Sequence, residues 1–262
     1  MTLADVNGIK LRYEEHGTGE PLILLHGGFG AGEMFAPMLP ELTPGRRVIA
    51  VDLQGHGGTA DVDRPLRAEL MGDDIAALLD HLGIEQADVM GYSLGGLVAL
   101  RTAIQHPHRV RRLVLVSIAF RRDGSHPEVL EAMKQMSPAA AEPMKQSPLY
   151  ETYASLAPRV EDWPVLVGKV SEALKVDYDW TDDIARITAQ TMLVYADADS
   201  VRPAHIVEFF ALLGGGLRDA GWDNSAQPSN RLAILPGRTH YDVFMSPALV
   251  PIVVDFLNAE PR

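Results

Sequence analysis

Short apolar runs separated by stretches of helical periodicity dominate the chain. Leu22-Ile23-Leu24-Leu25, Val48-Ile49-Ala50-Val51, Ala87-Asp88-Val89-Met90 and Leu113-Val114-Leu115-Val116 have strand length and show little of the alternation of a half-solvated strand. Runs of this kind suit parallel strands buried on both faces. Between the second and third, Met71, Ile75, Leu78, Leu79 and Leu82 recur at helical spacing, and Leu94, Leu97, Val98 and Ile104 do so after the third. Strand and helix therefore alternate, which predicts an α/β architecture: a mostly parallel, twisted sheet with helices on both faces.

The flanking segments refine this outline. Residues 2–6 and 9–14 surround Asn7-Gly8, a two-residue turn signal, and predict an antiparallel hairpin at a sheet edge. From about 119 to 187 the alternation stops, and Pro, Met, Ala and short amphipathic stretches predict an inserted helical cap. Residues 1–118 and 188–262 are then the core. Strand patterning resumes at 192–195 and 231–235, with helices near 203–213 and 248–257. Between them, 214–230 reads as a long surface loop that lacks the Lys-Ser or Lys-Thr of a phosphate-binding loop.

With 262 residues, 47% hydrophobic and 22% charged, the chain has the composition of an ordinary globular protein. A formal charge of −12 argues against nucleic acid as the main partner, because phosphate binding needs concentrated Lys and Arg. Cysteine is absent, so disulfides, thiolate metal sites and a cysteine nucleophile are excluded. No window reaches the roughly 18 consecutive apolar residues of a membrane-spanning helix. The start, Met1 to Val6, lacks the basic and apolar regions of a secretory signal. These features predict a soluble cytoplasmic protein, monomer or homodimer, acting on a small molecule without a membrane partner.

The chemistry concentrates in loops that follow strands. Ser93 lies in Gly91-Tyr92-Ser93-Leu94-Gly95, directly between a buried strand and a helix, where a sharp turn exposes the hydroxyl. A serine hydroxyl needs a base, and the base an orienting acid. His240 follows the last strand and is the candidate base. Asp199, after the preceding strand, is favoured as the acid; Asp197, two residues earlier in the same loop, is the alternative. The order Ser, Asp, His is that of a strand-to-helix nucleophile elbow. Upstream, His26-Gly27-Gly28-Phe29-Gly30 offers a glycine-rich turn whose N–H groups suit an oxyanion, with Gly28 first choice and Phe29 second; Leu94 would give the other N–H. Phe29 and Tyr92 flank these positions as pocket candidates, although Tyr92 can instead pack under the turn.

At these residues the chain resembles the α/β-hydrolase superfamily, in its compact capped esterase, lactonase and carbon–carbon hydrolase branches. The matching segments are LLHGGFG, Asp52-Leu53-Gln54-Gly55-His56-Gly57, GYSLGG, ADADSVRP and GRTHY. The resemblance implies an α/β-hydrolase fold and hydrolysis of a carboxylic ester or lactone through an acyl-enzyme on Ser93, with no cofactor or metal. Serine at the nucleophile position disfavours dehalogenase and epoxide hydrolase chemistry, where relatives carry Asp. HGGFG departs from the HGGPG of proline iminopeptidases. Carbon–carbon cleavage of a diketone-like substrate would use the same triad, and some relatives act as non-hydrolytic ligand receptors.

The remaining candidates have bland readings. His26 and His56 lack a paired ligand at metal-site spacing and are expected to support their loops. His205 is expected on a solvated helix face. Trp163, Trp180 and Tyr153, with Met133, Met136 and Met144, are expected mainly to pack the cap.

Overall fold

In the computed structural model, which describes residues 2–260, the chain opens with the hairpin that its alternation predicts. β1 (Thr2–Val6) and β2 (Ile9–His16) pair antiparallel through Asn7 and Gly8, whose φ values of 48° and 80° match the twist of a two-residue turn. Met1, Pro261 and Arg262, included in the expected core spans, lie outside the described residues.

Six further strands follow in an alternating order. β3 (Glu20–Leu25) leads through a 3-10 turn and α1 (Leu39–Leu42) to β4 (Arg46–Val51). Then come α2 (Ala68–His81), β5 (Ala87–Tyr92), α3 (Leu94–Gln105) and β6 (Val110–Val116). Between β6 and the next strand stand α4 (Pro127–Gln135), α5 (Ala141–Met144), α6 (Pro148–Leu156), α7 (Trp163–Ala173) and α8 (Thr181–Ile184). The chain ends with β7 (Gln190–Ala198), α9 (Pro203–Leu212), β8 (Arg231–Thr239) and α10 (Leu249–Asn258).

The strands form one sheet in the order β1-β2-β4-β3-β5-β6-β7-β8, parallel from β4 to β8. Chain direction across the sheet reverses at β3, because β4 lies on one side of it and β5 on the other. At such a switch point the connections diverge and leave a crevice at the strands' carboxyl ends.

Alternate strand residues build two cores. Ile23, Leu25, Ile49, Val89, Leu113 and Leu193 face α2, α3, α9 and the inserted helices. Leu22, Leu24, Val48, Met90, Val114 and Val194 face α1 and α10. The inserted segment does not carry a separate core, since Phe120, Tyr153, Trp163 and Leu166 join the first cluster. It is also tied by charge: the Lys169 ammonium pairs with Asp61 at 2.6 Å and donates to the carbonyls of Val62 and Arg64. Among the described residues no helix is long and apolar enough to cross a membrane.

His205 departs from its expected place. It is 1% exposed, stacks on Phe120 at 4.1 Å between ring centroids, and its Nε2 accepts the Phe120 N–H at 3.2 Å. The face of α9 that sequence periodicity leaves to solvent is covered by the start of the inserted segment. Burial, followed by the nearby Arg121 charge, pushes its pKa down to about 4.

Candidate active site

Ser93 is the residue between β5 and α3, and its backbone is held at φ 52° and ψ −118°. That region is unfavourable for any residue with a Cβ, so the turn persists only because its surroundings enforce it. The glycines show how. A Cβ at position 91 would lie 2.2 Å from the Gly95 carbonyl oxygen, and one at 95 would lie 2.2 Å from that of Leu25. The helix start is thereby pressed against both β5 and the end of β3. The Ser93 N–H, meanwhile, donates to Val116 of β6 at 3.0 Å.

The imidazole of His240, in the loop after β8, reaches this turn. Its Nε2 lies 3.1 Å from Ser93 Oγ. For the hydroxyl to donate, Nε2 must be the unprotonated nitrogen, which places the ring proton on Nδ1. Nδ1 lies 3.4 Å from Asp199 Oδ1 and 3.0 Å from Ser200 Oγ.

Asp199 follows β7 and is 8% exposed. Its Oδ2 accepts from Ser117 Oγ at 2.5 Å and from the Ala196 N–H at 3.0 Å; Oδ1 accepts from the Val201 N–H at 3.2 Å. Burial raises the carboxyl pKa, but the nearby His240 ring and hydrogen bonds from Ser117 and Ala196 outweigh it and hold the group below its ordinary value. Asp199 is thus a buried carboxylate kept ionised next to an imidazole.

Asp197 is placed elsewhere. β7 runs on through Ala198, so Asp197 is a strand residue on the exposed side, and its carboxylate accepts the N–H groups of Gly237 and Arg238 at 3.0 and 3.1 Å. It braces the end of β8, just before His240.

The glycine-rich turn after β3 lies against Ser93: a Cβ on Gly27 would come within 3.5 Å of the serine Cβ. No hydrogen-bond partner among the described residues engages the N–H of Gly28, Phe29 or Leu94. Beside Gly28 a Cβ would meet nothing within 4 Å, so space is open there, and Phe29 sits at a left-handed φ of 61°. Leu94 opens α3, where the helix dipole favours negative charge.

Asp52 fixes the loop from below. One carboxylate oxygen accepts the Gly32 N–H at 2.6 Å, and the other accepts Arg12 and the Gly58 N–H, each at 2.7 Å. His26 is fully buried between the Gly27 carbonyl at 2.7 Å and the Leu53 N–H at 3.0 Å, and His56 bonds the Gln54 carbonyl at 2.8 Å. Both rings serve the loops.

Phe29 and Tyr92 occupy opposite sides of the sheet. Phe29 packs on Trp163 of α7 at 5.6 Å, and Trp163 in turn meets Tyr150 and Tyr153 while its Nε1 donates to Ala141. Tyr92 belongs to the other core, against Phe244, with its hydroxyl on the His240 carbonyl at 2.7 Å. It lies under the turn, the packing position that its sequence also allowed, because β5 directs Tyr92 to the α10 face.

Sequence reasoning missed Ser117 and Ser200. Ser117 follows β6 at a left-handed φ of 53°, and Ser200 is merely the residue after Asp199. Neither stands in a motif. Their contacts arise from the parallel register of β6 and β7, which only the folded chain displays.

Known proteins share this arrangement of segments. Residues 20–143 match the model of a family described as alpha/beta hydrolase fold. Over 116 residues the chain is 42% identical to the 2-hydroxymuconate semialdehyde hydrolase of Pseudomonas sp. (strain CF600), covering 43% of this chain and 41% of that relative's length. It is 28% identical over 237 residues to RutD of Azorhizobium caulinodans, a protein named for carbamate hydrolysis, covering 84% of this chain and 88% of the relative. The enol-lactonase from Burkholderia xenovorans LB400 superposes with a TM-score of 0.72 at 23% identity, over 98% of this chain and 100% of that one, which is a likeness of fold.

Proposed function

The chain belongs to the α/β-hydrolase superfamily, and from that premise we propose that it is a serine hydrolase cleaving a carboxylic ester or lactone through an acyl-enzyme on Ser93. The observation that carries this reading is the 3.1 Å approach of His240 Nε2 to Ser93 Oγ, with the Asp199 carboxylate behind the ring.

In the first half-reaction, Ser93 Oγ attacks the carbonyl carbon as His240 Nε2 takes its proton. The oxyanion forms against the N–H groups of Gly28 and Leu94, each such donor being worth about 3–4 kcal/mol of barrier. Asp199 keeps the Nδ1 tautomer and stabilises the imidazolium. His240 then protonates the leaving alkoxide, leaving an acyl ester on Ser93. Water, deprotonated by the same nitrogen, attacks that ester, and His240 returns the proton to Ser93 Oγ as the acid is freed. Phe29, backed by the buried Trp163, supplies an apolar wall on the side of the inserted helices, which act here as the cap over 119–187.

A second reading is favoured by the 42% identity to a 2-hydroxymuconate semialdehyde hydrolase: carbon–carbon cleavage of a diketone-like substrate with the same triad. There the leaving group is a carbanion that the substrate's conjugation stabilises.

Fluorophosphonate labelling with peptide mass mapping tests the machinery. The adduct is expected on Ser93, and Ser93→Ala and His240→Ala are expected to lose it. Labelling of a different residue, or undiminished labelling of Ser93→Ala, would refute the assignment. A panel of esters and lactones beside a ring-fission diketone separates the two reactions, since turnover of the diketone alone would overturn the ester reading. Stoichiometric ligand binding without product release would indicate a receptor.

A further inference from the structure

We infer that Ser200 is a positioning residue for the proposed base, its hydroxyl bridging His240 and Asp199. The inference rests on the serine-hydrolase reading above and concerns how the acid is coupled to the base.

The distances set the problem. A charge-assisted N–H to carboxylate bond ordinarily spans about 2.7–2.9 Å. His240 Nδ1 and Asp199 Oδ1 are 3.4 Å apart, longer than such a bond. Ser200 Oγ is nearer to the same nitrogen, at 3.0 Å, and stands 3.3 Å from Asp199 Oδ1.

Tautomer logic assigns the protons. Nε2 accepts from Ser93, so Nδ1 carries hydrogen and donates, and the Ser200 hydroxyl oxygen accepts it. The Ser200 hydroxyl hydrogen is then free to point at Asp199 Oδ1, which as a carboxylate only accepts. The chain Nδ1–H to Oγ–H to Oδ1 transmits the carboxylate charge to the ring across a gap that the direct contact leaves loose. No proton changes owner along it. Ser200 restricts the ring's swing and strengthens Nδ1 as a donor when the imidazolium forms.

Ser200 is held for this task by its backbone. Its carbonyl accepts the His126 N–H at 3.0 Å, and the Arg202 N–H donates to Gly124 at 2.9 Å. Ser125 and Val201 form an isolated antiparallel bridge between these bonds. The entry to the inserted helices thus pins the backbone of residues 200–202, from which the Ser200 hydroxyl reaches the ring.

The test compares Ser200→Ala, Ser200→Thr and Ser200→Cys with wild type on an ester that the enzyme hydrolyses. Ser200→Ala is expected to lower kcat about tenfold, the scale of one hydrogen bond to an ionised group, with KM unchanged. Ser200→Thr, which keeps the hydroxyl, is expected to restore kcat. Ser200→Cys keeps the volume with a poor donor and is expected to resemble Ser200→Ala, which separates packing from hydrogen bonding. Proton NMR adds a signature: the low-field Nδ1 proton is expected at one position in wild type and Ser200→Thr and displaced in Ser200→Ala. Equal kcat in Ser200→Ala and wild type, or an unmoved resonance, would overturn the inference. Ser93→Ala run alongside separates the two levels: full activity there sinks the serine-hydrolase reading itself, whereas an inactive Ser93→Ala beside a fully active Ser200→Ala sinks only the role of Ser200.

Discussion

The hydroxyl of Tyr92 donates a hydrogen bond of 2.7 Å to the backbone carbonyl of His240, joining residues 148 positions apart. Tyr92 precedes Ser93, so one side chain ties the turn of the proposed nucleophile to the loop of its proposed base. The ring also packs on His240 at 5.6 Å and on Phe244 at 5.0 Å. Burial, helped by the Asp199 charge, pushes the phenol up to about 12, and the group remains a donor through the usable pH range.

Tyr92→Phe keeps the ring and deletes this bond. A neutral hydrogen bond contributes about 1 kcal/mol, so kcat is expected to fall about fivefold, with little change in KM and an unchanged fold by circular dichroism. Steady-state kinetics over pH 6 to 9 checks it; the deficit is expected to stay constant across that range.

Replacing Asp197 and Asp199 in turn with asparagine separates the two acid candidates. Asp199→Asn places an amide where a buried carboxylate orients Nδ1–H, and a loss of about 10³–10⁴ in kcat is expected. Asp197→Asn leaves an acceptor oxygen for the N–H groups of Gly237 and Arg238. Its loss is expected to stay under about tenfold, since only neutral acceptor strength changes. Equal losses in the two variants would contradict the assignment of Asp199.

These two residues show where sequence suffices and where it stops. The central strands were legible because burial on both faces leaves unbroken apolar runs, and Ser93 because it follows such a run; His240 follows the apolar sequence of β8, an edge strand in which Leu235 is buried and Ile234 exposed. Choosing between Asp197 and Asp199 needs the length of β7, and nothing in Tyr195-Ala196-Asp197-Ala198-Asp199 states that the strand continues to 198. His205 fails for a related reason: a histidine on a helix is solvated or buried according to what lies across from it, and here that is Phe120, 85 residues away. Ser117 and Ser200 are ordinary serines until β6 and β7 align, at which point their hydroxyls meet one carboxylate.

Trp163 links the inserted helices to the loop that bears Gly28. It is wholly buried, touches Phe29, Tyr150 and Tyr153, and donates to Ala141. Trp163→Ala is expected to lower unfolding free energy by about 3–5 kcal/mol through the cavity it leaves. Trp163→Phe keeps much of the contact and leaves the Ala141 carbonyl without its donor, an expected loss of about 1–3 kcal/mol. Urea unfolding of both variants checks the order. Because Phe29 loses its neighbour only in Trp163→Ala, a raised KM is expected for that variant and a nearly native one for Trp163→Phe.

Buried histidines give the fold a dependence on pH. Burial, reinforced by the adjacent His26 ring, pushes the His56 pKa down to about 3; burial and then Arg121 push His205 down to about 4; burial also lowers His26. In the unfolded chain each would titrate near its ordinary value of about 6.5. Between those limits the unfolded state binds protons that the folded state refuses, so stability is full above about pH 6.5 and declines as pH falls. From pH 7 to 5 His56 and His205 are each expected to remove on the order of 1–2 kcal/mol, and His26 acts in the same direction. The depressed carboxyl of Asp199 acts in a lower window, where its contribution is lost as pH falls through its folded pKa, and does not confuse this one. Urea unfolding at pH 5, 6 and 7 is expected to show the decline, and His205→Asn is expected to make it shallower by one histidine's share. A slope unchanged by that substitution would mean that His205 takes up its proton equally in the folded and unfolded states and that its burial does not govern acid stability.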